Sequence, residues 1–188
     1  MLLDNFLPVY DFNEAHATVV HAPPSRIFDA IKELTPAEVP LLRTLFALRL
    51  LPARLVGSGG ARFIRTQPLL PQMLDAGFVL LAEATDREIV FGRIGQFWKV
   101  SGGASPHITD GQEFLAFDQP EYAKAALNFS VDEHLRNAGV TVSTETRIAV
   151  PDPVTRRKFA IYWRVIYPGS ALIRRMWLRA IKRRAERG

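Results

Sequence analysis

The sequence predicts an α+β domain in which a curved antiparallel sheet of about six to seven strands wraps around a long C-terminal helix. Three observations carry this. Short segments with two-residue alternation cluster in the middle of the chain, the longest being Val140 to Val150. Helical spacing of apolar residues appears near both ends. The last fifth begins with Asp152-Pro153, a helix-start signature followed by a long run without a strand pattern. Strands and helices segregated along the chain in this way belong to the α+β class.

Taken in order, His16 to His21 is β-branched and reads as the first strand. Ala22-Pro23-Pro24-Ser25 punctuates it, and Ile27, Ala30, Ile31 and Leu34 then fall at helical spacing over 26–34. A second short helix is expected from Pro36 to Leu51, apolar around most of its circumference. The glycine-rich 56–61 reads as a loop, 62–65 as a short strand and 68–75 as a short helix. The clearest hairpin joins 78–84 to 87–93 through Thr85-Asp86. A two-residue loop there sets Leu80 opposite Phe91 and Glu83 opposite Glu88, with Phe78, Leu80, Ala82, Ile89 and Phe91 on the core face. The second strand can continue through Phe97-Trp98. Residues 101–111 are loop-like; 113–117, 122–131 and 140–150 read as strands. Pairing Val131 with Val140 places Lys124 opposite Arg147. In the final helix, Phe159, Trp163 and Ile166 share a stripe, Pro168-Gly169 predicts a kink or break, and Leu172, Ile173, Met176, Trp177, Ala180 and Ile181 resume it.

The 188 residues suit a single domain, 1–188, with one core. Hydrophobic residues make up 48% and charged residues 23%, an ordinary globular balance. The absence of cysteine excludes disulfides, thiolate metal sites and a cysteine nucleophile, and fits a reducing compartment. The N-terminus lacks the basic and apolar regions of a signal peptide, so the expected location is the cytoplasm. The apolar stretch 39–56 is broken by Arg43, Arg49, Pro52 and Arg54 and reads as a buried helix rather than a membrane span. Charge is uneven. Residues 1–152 carry 13 basic against 18 acidic residues, whereas 153–188 carry 11 basic residues against Glu186 alone.

Residues 16–28 (HATVVHAPPSRIF), 88–98 (EIVFGRIGQFW), 122–129 (YAKAALNF), 143–148 (STETRI) and 159–175 (FAIYWRVIYPGSALIRR) resemble the START-like, polyketide-cyclase-type (SRPBCC) superfamily, and within it a bacterial branch. The resemblance implies a helix-grip fold with a cavity between sheet and last helix, and a lipid, isoprenoid or polyketide-like ligand. It carries over no catalytic residue, because no catalytic motif is shared across the superfamily.

His16, His21, His107 and His134 show no metal-ligand spacing, so neither a metal nor a cofactor is expected. Gly57-Ser58-Gly59-Gly60 lacks the lysine of a phosphate-binding loop, and no Gly-x-Ser-x-Gly elbow exists. Glu145 and Arg147 read as a solvated charge cluster. The expected function is binding of an apolar small molecule, lined by Phe78, Leu80, Phe91, Leu127, Phe129, Thr144, Phe159 and Trp163, with Thr144 supplying the polar contact. A cyclase- or aromatase-like reaction in the same cavity is the alternative, favoured if Glu83, Arg93, Glu145 or Arg147 faces inward. A third reading places the basic C-terminal helix on an anionic membrane through Arg175, Arg179, Lys182 and Arg183. Nucleic acid is not an expected partner, since the basic run carries no recognition motif.

Overall fold

The computed structural model describes residues 1–39, 64–99, 103–133 and 139–187. The helix expected to reach Leu51 beyond residue 39, the loop 56–61, the first half of the strand 62–65 and His134 lie outside the described residues. Among the described residues ten elements follow one another: α1 (Leu3–Phe6), β1 (Phe12–Val20), α2 (Pro24–Glu33), α3 (Leu69–Asp75), β2 (Val79–Ala84), β3 (Glu88–Gly95), α4 (Gly111–Ala116), β4 (Ala123–Glu133), β5 (Val140–Ala149) and α5 (Pro153–Arg187). The strands form one antiparallel sheet in the order β1-β5-β4-β3-β2. This is the α+β arrangement expected, with five strands among the described residues rather than six or seven. One expected strand, 113–117, is the helix α4. Asp110 caps it, accepting from the backbone N–H of Gln112 at 2.8 Å and of Glu113 at 2.9 Å, while Glu113 reaches back to the N–H of Thr109 at 2.7 Å. That reciprocal cap outweighs the short apolar alternation.

Two strand registers differ from expectation. Between β2 and β3 the loop takes three residues, 85–87, with Asp86 left-handed at φ 61°, and a bulge at Leu81 restores Leu80 opposite Phe91. Glu83 therefore faces Ile89 rather than Glu88, and Leu80 is 41% exposed at the sheet edge. Between β4 and β5, Glu133 pairs with Val140, so Ala126 meets Arg147 and Asn128 meets Glu145. β4 runs two residues further than its apolar pattern indicated.

The sheet is covered on both faces. On the inner face, α5 packs against β1, β5 and α2. On the outer face lie α1 and α4, over Val90, Ile94 and Ala126. β3 is consequently buried along almost its whole length, as a strand with two covered faces must be. Gly92 is required there: a Cβ would come within 2.8–2.9 Å of Leu81 and Phe114.

The outer face corrects the reading of Glu145 and Arg147 as solvated. Arg147 is buried. Its Nε donates to Glu145 at 2.8 Å and its Nη1 to Asp4 at 2.7 Å and to the Leu7 carbonyl at 3.2 Å, while its guanidinium lies 5.0 Å from the Tyr10 ring centre. Glu88, also buried, accepts from the N–H groups of Leu2 and Leu3 at 2.6 and 3.2 Å and from Asn128 Nδ2 at 2.7 Å. The carboxylate thus caps α1 from another strand. The N-terminal segment is docked by charge onto strands far away in sequence.

α5 is one uninterrupted 35-residue helix, about 52 Å long at the usual rise. The break expected at Pro168-Gly169 is absent; Pro168 is exposed, so water can serve the carbonyl its ring leaves unbonded. Its C-terminal apolar stripe is inside: Met176, Trp177, Ala180 and Ile181 are buried against α2 and the sheet. Lys182 donates to the Val19 carbonyl, Arg183 to that of Glu38, and Arg184 pairs with Glu33 and Glu38.

Two outcomes test this architecture. Pro168→Ala restores a helix hydrogen bond at an exposed position and should raise unfolding stability by up to about 3 kcal/mol; an unchanged or lower denaturant midpoint would mean the helix is broken there. The Arg147 guanidinium, helped by the N-terminal ammonium, holds Asp4 below its ordinary carboxylate value. A depressed carboxylate stabilises fully above its unfolded value near 3.8 and loses that contribution as pH falls through the folded one. Amide exchange in residues 3–7 should therefore accelerate below about pH 4, and Asp4→Asn should show the faster exchange already at neutral pH.

Candidate functional site

Each strand of the inner face contributes alternate side chains toward α5. β1 supplies Phe12, Glu14, His16, Thr18 and Val20; β5 supplies Val140, Val142, Thr144, Thr146 and Ile148. The pairing sets Glu14 opposite Thr146 and His16 opposite Thr144. Two apolar clusters fill the ends of this face. One joins Phe91, Leu127, Phe129, Val142, Trp177 and Ile181, with Phe129 and Trp177 in edge contact at 5.1 Å. The other joins Ile148, Val150 and Phe159 with Phe12, Phe97, Trp98 and Trp163. Phe159 lies 5.1 Å from Phe12 and 6.0 Å from Trp163.

A polar belt separates the clusters on all three elements. It comprises Glu14 and His16 on β1, Thr144 and Thr146 on β5, and Arg174 on α5. His16 Nε2 lies 2.9 Å from Glu14 Oε1. Arg174 Nη2 donates to Thr146 Oγ1 at 2.8 Å, and its Nη1 to Thr144 Oγ1 at 3.4 Å; Thr144 in turn donates to the Asn128 carbonyl at 2.8 Å. Glu14, Thr144 and Thr146 are buried. Arg174 as a residue is half-buried, but its charged end is desolvated, which pushes the guanidinium down to about 10 against the opposing pull of the Glu14 carboxylate. It therefore remains a cation at neutral pH, inside the fold. The second oxygen of Glu14 is buried without a hydrogen-bond partner among the described residues. A desolvated carboxylate oxygen with no donor costs free energy unless something else serves it.

The helix opposite the belt is unusual in composition. Its sheet-facing stripe runs Phe159, Trp163, Ile166, Ser170, Arg174, Trp177 and Ile181 at spacings of three and four. The ends of that stripe, Phe159, Trp177 and Ile181, are buried, whereas Trp163, Ile166 and Ser170 are only half-buried. Gly169, Ser170 and Ala171 are the smallest consecutive residues of the helix. A Cβ added at Gly169 would meet nothing within 4 Å. Contact between helix and sheet is thus tight at both ends and open to solvent in the middle, beside the belt.

The eight expected lining residues are distributed over these features rather than gathered in one wall. Phe91, Leu127 and Phe129 belong to one cluster, Phe159 and Trp163 to the other, and Thr144 to the belt. Phe78 is half-buried, with the Arg93 guanidinium 5.5 Å from its ring centre and 5.9 Å from that of Phe97. Leu80 sits at the exposed edge. Of the charged groups that would favour chemistry if inward, Arg93 is on the inner face, paired with Ala125 of β4; Glu145 and Arg147 are on the outer face, and Glu83 pairs with Lys32. Sequence reasoning missed Glu14, His16 and Arg174. Beginning the first strand at Phe12 instead of His16 would have found the first two, since Phe12, Glu14, His16, Thr18 and Val20 alternate with Asn13, Ala15, Ala17 and Val19.

Thr146→Val tests the belt directly. It removes the acceptor of a buried guanidinium N–H while keeping shape, and should lower unfolding stability by about 1–3 kcal/mol; a change within a few tenths would place the Arg174 guanidinium elsewhere.

No family model matches the chain, and no characterised protein matches it significantly. Among solved structures it is similar to the crystal structure of Ara h 8.0201, at 10% sequence identity over 94% of this chain and 99% of that one, with a TM-score of 0.35.

Proposed function

We propose that the chain binds one amphipathic small molecule between the inner sheet face and the middle of α5. Its apolar body lies against the aromatic clusters, and an anionic or strongly accepting oxygen group meets Arg174. The observation that carries this reading is the buried Arg174–Thr144–Thr146–Glu14–His16 belt, set between two apolar clusters where the helix is half-open. Apolar sites with a few convergent polar groups are the usual form of small-molecule pockets. Charge narrows the class. The Arg174 guanidinium ends at the belt, on the threonine hydroxyls of β5. A ligand carrying one carboxylate, phosphate or enolate oxygen complements that cation, and a hydroxyl beside it can donate to Glu14 Oε2. This refines a purely apolar ligand to one with an acidic end.

The Glu14–His16 contact supports a second reading, an enzyme of the cyclase type acting on the same ligand. A carboxylate at 2.9 Å orients an imidazole for proton abstraction next to a carbonyl, and Arg174 beside it is placed to stabilise the resulting oxyanion.

The test uses a long-chain fatty acid and the matching alcohol as probes, followed by tryptophan fluorescence of Trp163 and Trp177. The acid should bind more tightly than the alcohol. Arg174→Gln should weaken the acid by about 10- to 100-fold, the value of a hydrogen bond to a charged group, and leave the alcohol nearly unchanged. Equal loss for both probes, or none for either, overturns the assignment of Arg174 as the anion-recognising group. His16→Gln distinguishes the enzyme: it should leave binding intact and abolish any turnover of a bound polyketide-like carbonyl compound.

A further inference from the structure

The outward face of α5 carries a second feature, independent of the belt. Val154, Ile161, Val165 and Leu172 recur at spacings of seven, four and seven, which places them in one line along the helix. They are 64%, 68%, 75% and 41% exposed. Four large aliphatic side chains in a row on solvent are, among the described residues, an unpartnered apolar strip. The same face continues toward the C-terminus as a cleft of about 290 Å³ lined by Met176, Arg179, Lys182, Arg183 and Glu186.

Cations border the strip. Arg157, Arg164 and Arg175 lie on one side of the line and Lys158 on the other, all exposed. Acidic residues are missing from it: Glu186, at the far end of α5, is the helix's one carboxylate. The apolar line is about one side chain wide, and long basic side chains can extend from beside it while their stems cover its flanks. From Val154 to Leu172 it extends for about 27 Å at the helical rise.

We propose that this face docks α5 lengthwise on an anionic lipid bilayer, with Val154, Ile161, Val165 and Leu172 entering the headgroup–acyl boundary and Arg157, Lys158, Arg164 and Arg175 contacting lipid phosphates. An apolar line flanked by cations on a helix parallel to the surface is the geometry that interfacial binding uses. A second copy of the chain is a poorer occupant, because a two-fold contact through this face sets arginine rows against each other. The surface differs from the one expected from sequence. There, the contact falls on Arg175, Arg179, Lys182 and Arg183, with the apolar stripe either packed on the domain or dipping into lipid; Met176, Trp177, Ala180 and Ile181 are buried, and Lys182 and Arg183 hold backbone carbonyls of the domain. None of the helix contacts is disturbed when the strip meets a bilayer, since its residues already face solvent. It requires no opening of the fold.

Co-sedimentation with vesicles tests this. Vesicles of phosphatidylcholine alone are compared with vesicles of phosphatidylcholine mixed equally with phosphatidylglycerol, at low and high salt. The protein should bind the anionic vesicles, and salt should release it. Each cation replaced by glutamine should lower partitioning about five-fold, so the triple change Arg157→Gln, Arg164→Gln, Arg175→Gln should lower it on the order of a hundred-fold. Ile161→Asn with Val165→Asn should lower it about ten-fold while leaving thermal unfolding unchanged, because both positions are exposed. Equal binding to neutral and anionic vesicles, or none to anionic vesicles at low salt, overturns the proposal. So does a concentration-dependent dimer in solution that the Ile161→Asn, Val165→Asn variant dissociates, which would assign the strip to a second copy.

Discussion

Burial of the Arg174 guanidinium is the constraint on which the inner half of this protein turns. Taking a cation out of water is costly unless it is compensated, and here two threonine hydroxyls accept from it while the Glu14 carboxylate acts on it through charge. That requirement fixes where α5 lies along β5, since the guanidinium reaches Thr144 and Thr146 only at one axial position. With the helix so placed, Trp177 and Ile181 fall over Phe129 and Val142 on one side, and Phe159 falls over Phe12 and Ile148 on the other. An all-apolar face of the same shape would tolerate sliding by a turn. The polar belt does not.

The outer half is organised by the mirror-image device, carboxylates and an arginine brought together from distant parts of the chain. Asn128 links the two sides of that network: its Nδ2 donates to Glu88, and its Oδ1 accepts from the backbone N–H of Glu145 at 2.9 Å. Glu88 then serves α1, and Arg147 ties Glu145 to Asp4. Because every member has a partner, the network orders the N-terminal segment against β3, β4 and β5 instead of leaving charge stranded under it. The covered outer face in turn explains why Gly92 and Ala126 are small: α1 and α4 sit directly on them.

These two networks separate the roles of the faces. The outer one is closed, with its polar groups satisfied among themselves. The inner one leaves Glu14 Oε2 unserved and lies where α5 presents its smallest residues. Incomplete polar satisfaction beside an opening is what the proposed binding role of the inner face rests on. The same difference makes the charge pattern of α5 intelligible. Arg174 is turned inward, Arg156 and Arg184 pair with acidic groups on the domain, and Arg157, Lys158, Arg164 and Arg175 remain on solvent beside an aliphatic line.

Much of the fold was legible in the sequence because it rests on local rules. The alternation of 140–150, the hairpin around Thr85-Asp86, the Asp152-Pro153 helix start and the apolar stripe through Trp177 depend on neighbours a few residues apart, and each corresponds to an element of the structure. The conversion of 113–117 to helix was also legible in principle, in Asp110 and Glu113, but the short apolar run Phe114 to Phe117 favoured the other reading. What sequence could not decide was which charges are buried. Glu88, Arg147, Glu14 and Arg174 look like surface residues along the chain, and their partners lie 86, 143 and 28 positions away in the clearest cases. Solvation of a charge depends on what covers it, and what covers it is set by strand order, by a two-residue register shift and by a helix that continues past its proline. The sequence by itself determined the class of the fold and its apolar faces, through local periodicity; only the tertiary structure decided where the charges meet, because burial is a property of pairs of elements and not of any one segment.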